Sequence, residues 1–147
     1  MALLRLEFIH ESTEIEAPVE EVFTFFKDLE KWTSWATGIK KANRKPGGDW
    51  GVGFRFSFVP LFLPVPLDVK VLDYEEGRLI AWGLRTPVAT MVHRFDFEPM
   101  DAGRCRVRQQ EVAEGLLAIL TRPLRGKIEH FDRLLAEDLK AAFKKEI

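Results

Sequence analysis

Two hydrophobic periods divide the chain. From about residue 39 to residue 113 apolar side chains recur at every second position, the signature of strands, and on either side they recur at every third or fourth, the signature of helices. The stretch Glu7 to Ala17 alternates loosely and predicts a first strand whose register is open. Pro18 then starts a helix in which Val19, Val22, Phe23, Phe26 and Leu29 share one face, with Glu20 and Glu21 at the positive end of the dipole. A second short helix is predicted over Leu29 to Ala36, carrying Trp32 and Trp35. Six strands follow, over 39–44, 51–59, 67–74, 78–85, 89–98 and 104–113, separated by turn-forming residues. Gly115 ends the sheet. A long helix from Leu116 to about Lys144 is predicted to break near Thr121-Arg122-Pro123, with Thr121 capping the longer second segment. Leu124, Ile128, Phe131, Leu135, Leu139 and Phe143 give it one continuous apolar face.

Short links between strands imply antiparallel neighbours. The expected architecture is therefore α+β: a curved seven-stranded antiparallel sheet around a long C-terminal helix, with two short helices between strands 1 and 2. Residues 1–147 show no repeat, linker or composition shift, so one domain is expected. Composition adds exclusions. The chain is 46% hydrophobic and 31% charged, outside the range of disordered or low-complexity proteins. No apolar run approaches a membrane span or a secretory leader, and the single cysteine, Cys105, excludes an internal disulfide and a multi-cysteine zinc site. A cytoplasmic location is expected. A net charge of -1 gives no overall field favouring nucleic acid. Twelve phenylalanines and four tryptophans against one tyrosine suit a dry interior rather than a recognition surface.

Alternation assigns an inward face to Phe54, Phe56, Phe58, Leu67, Val69, Val71, Ile80, Trp82, Met91, Phe95, Phe97 and Val107, joined by Leu124, Ile128 and Phe131 of the last helix. Two readings remain open: these residues fill a core, or some of them line an apolar cavity. Three polar residues share that face, His93, Gln109 and Glu111. A buried carboxylate needs a partner, cavity water or a proton, and His93 lies one strand away from Glu111. The pair is open to three roles: fixing the sheet, orienting a ligand, or acid–base catalysis. His10 and His130 read as surface residues, and no histidine pair has metal-ligand spacing with a carboxylate, so no metal is expected. Cys105 reads as an inert inward group. Arg104, Arg106 and Arg108 form an outer stripe facing Asp96 and Glu98. Gly51-Val52-Gly53 precedes a strand, the wrong context for a phosphate loop.

The links after the third, fifth and seventh strands emerge at one end of such a sheet. The first of them, Pro60 to Pro66, is unusually apolar, and that end is expected to hold an entrance formed by Trp35, Leu61, Phe62, Leu63 and Val88. Leu61 to Leu63 are open to service as a lid, a membrane-touching tip or a dimer contact, or to folding back as a plug.

The order of elements, together with Ala17 to Phe23, Leu29 to Trp32, Gly51 to Phe54, Leu79 to Trp82, His93 to Pro99, Gly103 to Val107 and Glu111 to Gly115, resembles the START/Bet v 1-like (SRPBCC) superfamily. Within it the chain is most similar to the polyketide cyclase/dehydrase-like branch, over nearly its whole length. The resemblance implies a helix-grip fold and, without naming a reaction, a hydrophobic small-molecule ligand such as a lipid, polyketide or aromatic metabolite. On that footing the ligand pocket is expected to comprise Phe54, Phe56, Phe58, Val69, Ile80, Trp82, Met91, His93, Phe95, Gln109, Glu111, Leu124, Ile128 and Phe131. No cofactor is expected. The alternatives are a cyclase or dehydratase using His93 and Glu111, and a module resembling the activators of the Hsp90 chaperone ATPase. A monomer or homodimer, with at most transient membrane contact, completes the expectation.

Overall fold

The computed structural model describes residues 4–144. Seven strands, β1 (Arg5–Ile15), β2 (Ile39–Arg44), β3 (Arg55–Pro60), β4 (Leu67–Glu75), β5 (Leu79–Arg85), β6 (Ala89–Asp101) and β7 (Arg104–Gly115), form one antiparallel sheet in the order β1-β7-β6-β5-β4-β3-β2. Only the β1–β7 neighbourhood is non-sequential, so the first helical segment makes the one crossing, from β1 at one edge to β2 at the other. Between β1 and β2 run α1 (Val19–Lys27), a 3-10 turn (Leu29–Lys31) and α2 (Trp32–Trp35). After β7 come α3 (Leu116–Thr121), a second 3-10 turn (Arg122–Leu124) and α4 (Arg125–Ala142), which lies against β1. This is the helix-grip architecture. Among the described residues, no helix is long and apolar enough to cross a membrane.

The open register of β1 has a physical cause. The ladder to β7 shifts between Glu7 and Ile9, and this bulge turns two consecutive residues, Phe8 and Ile9, inward. A second shift between Val71 and Asp73 bends β4, so simple alternation ends there. The break after α3 is where proline was expected to put it, but Thr121 does not cap α4. Its hydroxyl donates backwards to the Leu117 carbonyl, and Leu124 precedes the helix with no side-chain cap.

Two tryptophans close the C-terminal end of α1. The indole N–H of Trp32 donates to the Phe26 carbonyl and that of Trp50 to the Lys27 carbonyl, each at 2.7 Å. Two carbonyls that the end of a helix leaves open are thereby satisfied. On the outer face Arg108 pairs with Glu98, whereas Arg104 and Arg106 reach Glu14 and Asp96 takes its own-strand neighbour Arg94. Cys105 is fully buried, and burial pushes its thiol up to about 11.

Candidate functional site

Helix α1 divides the space enclosed by the sheet. Its Phe23 and Phe26 pack onto Phe95 and Phe97 with ring centroids 4.8–5.6 Å apart, and Trp32 wedges against Phe56 and Trp82 at 5.4 and 5.6 Å. That half is solid. Phe54, Phe56, Ile80 and Phe95, expected in the pocket by their parity, are consequently core residues and do not line the large cavity. Gln109 and Phe95 border only a gap of about 10 Å³, at the limit of one water molecule.

The other half, beyond the reach of α1, holds a cavity of about 250 Å³. Its wall includes Phe58, Val69, Trp82, Met91, His93, Glu111, Leu124, Ile128 and Phe131 of the expected residues. To these the structure adds Leu67, Asp68, Gly83, Leu84, Leu117 and Thr121. Gly83 is required there, since a Cβ at its φ of +151° would meet the Met91 carbonyl oxygen at 1.9 Å. Leu61 N–H donates to the Gly38 carbonyl and Leu116 N–H to the Val88 carbonyl, each at 2.9 Å, so the links are tied together in two pairs. Of the residues expected at the entrance, Phe62 and Leu63 line the cavity, and Phe62 packs edge-on against Phe131 at 5.7 Å. Leu61 and Val88 are exposed outside it. Trp35 does not line the cavity: its ring packs on Phe25 and Phe26, on the α1 side.

The polar residues gather at the boundary between the packed half and the open half. His93 on β6 faces Glu111 on β7 across the ladder, held between the rings of Trp82 and Phe95 at 5.4 and 4.4 Å. The Gln109 amide N–H donates to the backbone carbonyl of Asp132 at 3.0 Å. A carbonyl can only accept, so this bond orients the amide and turns its oxygen toward His93 Nε2, 2.6 Å away. Nε2 therefore donates to the Gln109 oxygen. His93 Nδ1 is left facing the Glu111 carboxylate at 3.6 Å, beyond hydrogen-bond length.

Asp132 on α4 completes the cluster, and sequence reasoning passed over it. Its carboxyl group is fully buried, 3.7 Å from His93 Nε2, and no N–H or hydroxyl donor reaches either oxygen. Burial first, and then the neighbouring Glu111, push its carboxyl well above the usual carboxylate range. The signal was present: Asp132 stands four residues after Ile128 and three before Leu135, the single acid on the buried stripe of α4. His10 and His130 are exposed, as expected.

Comparison with known proteins places this geometry. No curated protein matches the sequence. Among solved structures, a protein from Nitrosospira multiformis is 20% identical with a TM-score of 0.73, the match covering 95% of this chain and 97% of the other. A truncated norcoclaurine synthase from Thalictrum flavum is 16% identical with a TM-score of 0.70, covering 100% and 98%. A START superfamily protein from Mycobacterium smegmatis is 16% identical with a TM-score of 0.63, covering 95% and 96%. These likenesses establish the START-type fold. The family model described as polyketide cyclase/dehydrase and lipid transport matches residues 9–147, and the chain belongs to that family.

Proposed function

We propose that this protein binds a small hydrophobic molecule in the cavity between the sheet and the C-terminal helical segment. The observation that carries the reading is the 250 Å³ void, walled mainly by aromatic and aliphatic side chains, with His93 and Glu111 on its sheet wall and Asp68 and Thr121 as its other polar side chains. Ligand sites commonly combine an apolar wall with a few convergent polar groups. The volume lies just under the roughly 300–1,000 Å³ of drug-sized sites, which suits a ligand of one or two rings or a short acyl chain. His93 and Glu111 would meet a hydroxyl or carbonyl on that ligand. Leu61, Val65, Leu84, Val88, Leu116 and Leu120 are exposed, Leu84 at the cavity wall and most of the others on or beside the links that follow β3, β5 and β7 at one end of the sheet. Such apolar exposure favours transfer of an apolar molecule to and from a membrane or another carrier. With one buried cysteine, the reading places the protein in the cytoplasm.

The same two residues support a second reading, a cyclase- or dehydratase-type enzyme with His93 and Glu111 moving a proton on the ligand. Titration with an anilinonaphthalene sulfonate dye tests the binding function directly. One dye should bind per chain with micromolar affinity, and Met91→Trp, which narrows the void, should weaken binding severalfold without lowering the melting temperature. No saturable binding to the unaltered protein, or unchanged affinity in this variant, would overturn it. Given a bound substrate, turnover unchanged in both His93→Gln and Glu111→Gln would dismiss the enzymatic reading.

A further inference from the structure

We propose that His93, Glu111 and Asp132 form a site for one divalent transition-metal ion of the zinc, iron(II) or manganese(II) class, with its open coordination position facing the cavity. One ring nitrogen of His93 and one oxygen of each carboxylate lie mutually within 4.8 Å, and all three side chains are buried. Metal bonds of about 2.0–2.2 Å set neighbouring ligand atoms about 3–3.5 Å apart. Glu111 lies 3.6 Å from His93 Nδ1 and Asp132 3.7 Å from Nε2, both beyond hydrogen-bond length; one ion takes one ring nitrogen, so ligation through Nδ1 requires Asp132 to shift toward that side of the ring.

Among the described residues no lysine or arginine pairs with Glu111 or Asp132, and no N–H or hydroxyl donor reaches either oxygen of the fully buried Asp132. Two carboxyl groups and one imidazole thus close on a common point with no fixed cation between them. Removing such groups from water without compensation costs several kcal/mol. A divalent ion supplies the missing charge and satisfies the orphaned oxygens at once.

The surroundings are those of a ligated histidine. Gln109 Oε1 accepts the hydrogen bond from Nε2–H while its own amide N–H donates to the Asp132 carbonyl, which fixes the ring and leaves Nδ1 toward Glu111. A ligating imidazole commonly donates its other N–H to an oxygen acceptor in this way. One imidazole and two carboxylates form a borderline-to-hard donor set that suits zinc, iron(II) or manganese(II) rather than copper(I). His93 and Glu111 border the cavity while Asp132 lies behind them, so the unfilled positions of the ion point into the void. Sites with three protein ligands and a remaining open position are the arrangement of metals that meet a substrate.

Calorimetric titration of the chelator-treated full chain with zinc chloride, in the absence of any organic ligand, tests the site separately from hydrophobic binding. One zinc per chain with a micromolar or tighter Kd is expected, weakened about tenfold or more in Glu111→Gln and in Asp132→Asn. His10→Gln and His130→Gln should leave it unchanged. A second measurement needs no variant: manganese(II) added to the isotope-labelled protein should broaden amide resonances around residues 93, 111 and 132 first. Absence of stoichiometric zinc binding overturns the proposal, as does binding unaffected by Asp132→Asn or broadening centred on the exposed histidines. If the cluster holds protons instead, no metal binds and Asp132→Asn raises the melting temperature.

Discussion

Phe56 and Met91 point to the same side of the sheet, yet the structure predicts very different costs for removing them. Phe56 is fully buried on the α1 side, with five aromatic rings around it: Trp32, Trp50, Phe54, Phe58 and Trp82, at centroid distances of 5.3–6.3 Å. Its truncation to alanine leaves a hole that rigid neighbours cannot close, and a loss of about 3–5 kcal/mol is expected, the range for buried phenylalanine. Met91 is half-buried beside the existing void, so few atoms lose contacts and about 1 kcal/mol is expected. Each kcal/mol moves the melting temperature of a domain this size by roughly 2–4 °C, which separates the variants by several degrees at least. Calorimetry of Phe56→Ala and Met91→Ala, checked by urea unfolding, measures both. Similar small losses in the two would mean that the void extends beneath α1, and the division of the interior into a packed and an open half would fail.

Local geometry sets three further outcomes. Gly83→Ala places a Cβ 1.9 Å from the Met91 carbonyl oxygen at a φ of +151°, so the β5–β6 ladder must distort and the melting temperature should fall by at least several degrees. Cys105, fully buried with its thiol raised to about 11 by burial, should resist a thiol reagent at pH 8 in the folded protein and react within seconds in denaturant. Glu30, hydrogen-bonded to Arg44, and Glu76, hydrogen-bonded to Tyr74 and Lys27, are each held below the ordinary carboxylate value of 4.5. Their folded-state values are depressed, so their contribution is present above that value and is lost as pH falls through the lower one. In Glu30→Gln/Glu76→Gln the acid limb of the stability curve should be shallower, and the pairs being exposed, the effect should shrink in high salt.

Alternation reports the direction of a side chain, not the depth of the layer above it. Phe56 and Phe58 share parity and residue type and stand two residues apart in β3, yet one lies under Trp32 in the packed half and the other borders the void. That difference depends on how far α1 reaches across the sheet, a tertiary distance no strand pattern encodes. The strands themselves were legible because each alternates between turns rich in glycine and proline. Bulges at Glu7/Ile9 and Val71/Asp73 were not legible, since an inserted residue leaves the composition of a strand unchanged. Asp132 is a different kind of miss. A helical stripe of Ile128, Phe131, Leu135 and Leu139 carries it inward, but a search for paired histidines does not look for one acid on a helix facing one histidine on a strand.

The position of the polar cluster is set by where the packing stops. On its inner side Phe95, Trp82 and Gln109 hold the His93 ring by ring contacts of 4.4 and 5.4 Å and a hydrogen bond of 2.6 Å. On its outer side Glu111 and Met91 meet the void. Two residues further along β6 toward the packed half, a polar side chain would replace Phe95 and be sealed among aromatic rings. Two residues the other way, it would replace Met91, with less packing to fix its rotamer. Only at the boundary is a group both immobilised by its neighbours and open to a ligand, the combination that directional binding or proton transfer requires. The aromatic excess of this chain thus has a use beyond filling a core: the wedge built from Phe23, Phe26 and Trp32 ends where His93 begins, and it is that ending that makes a site.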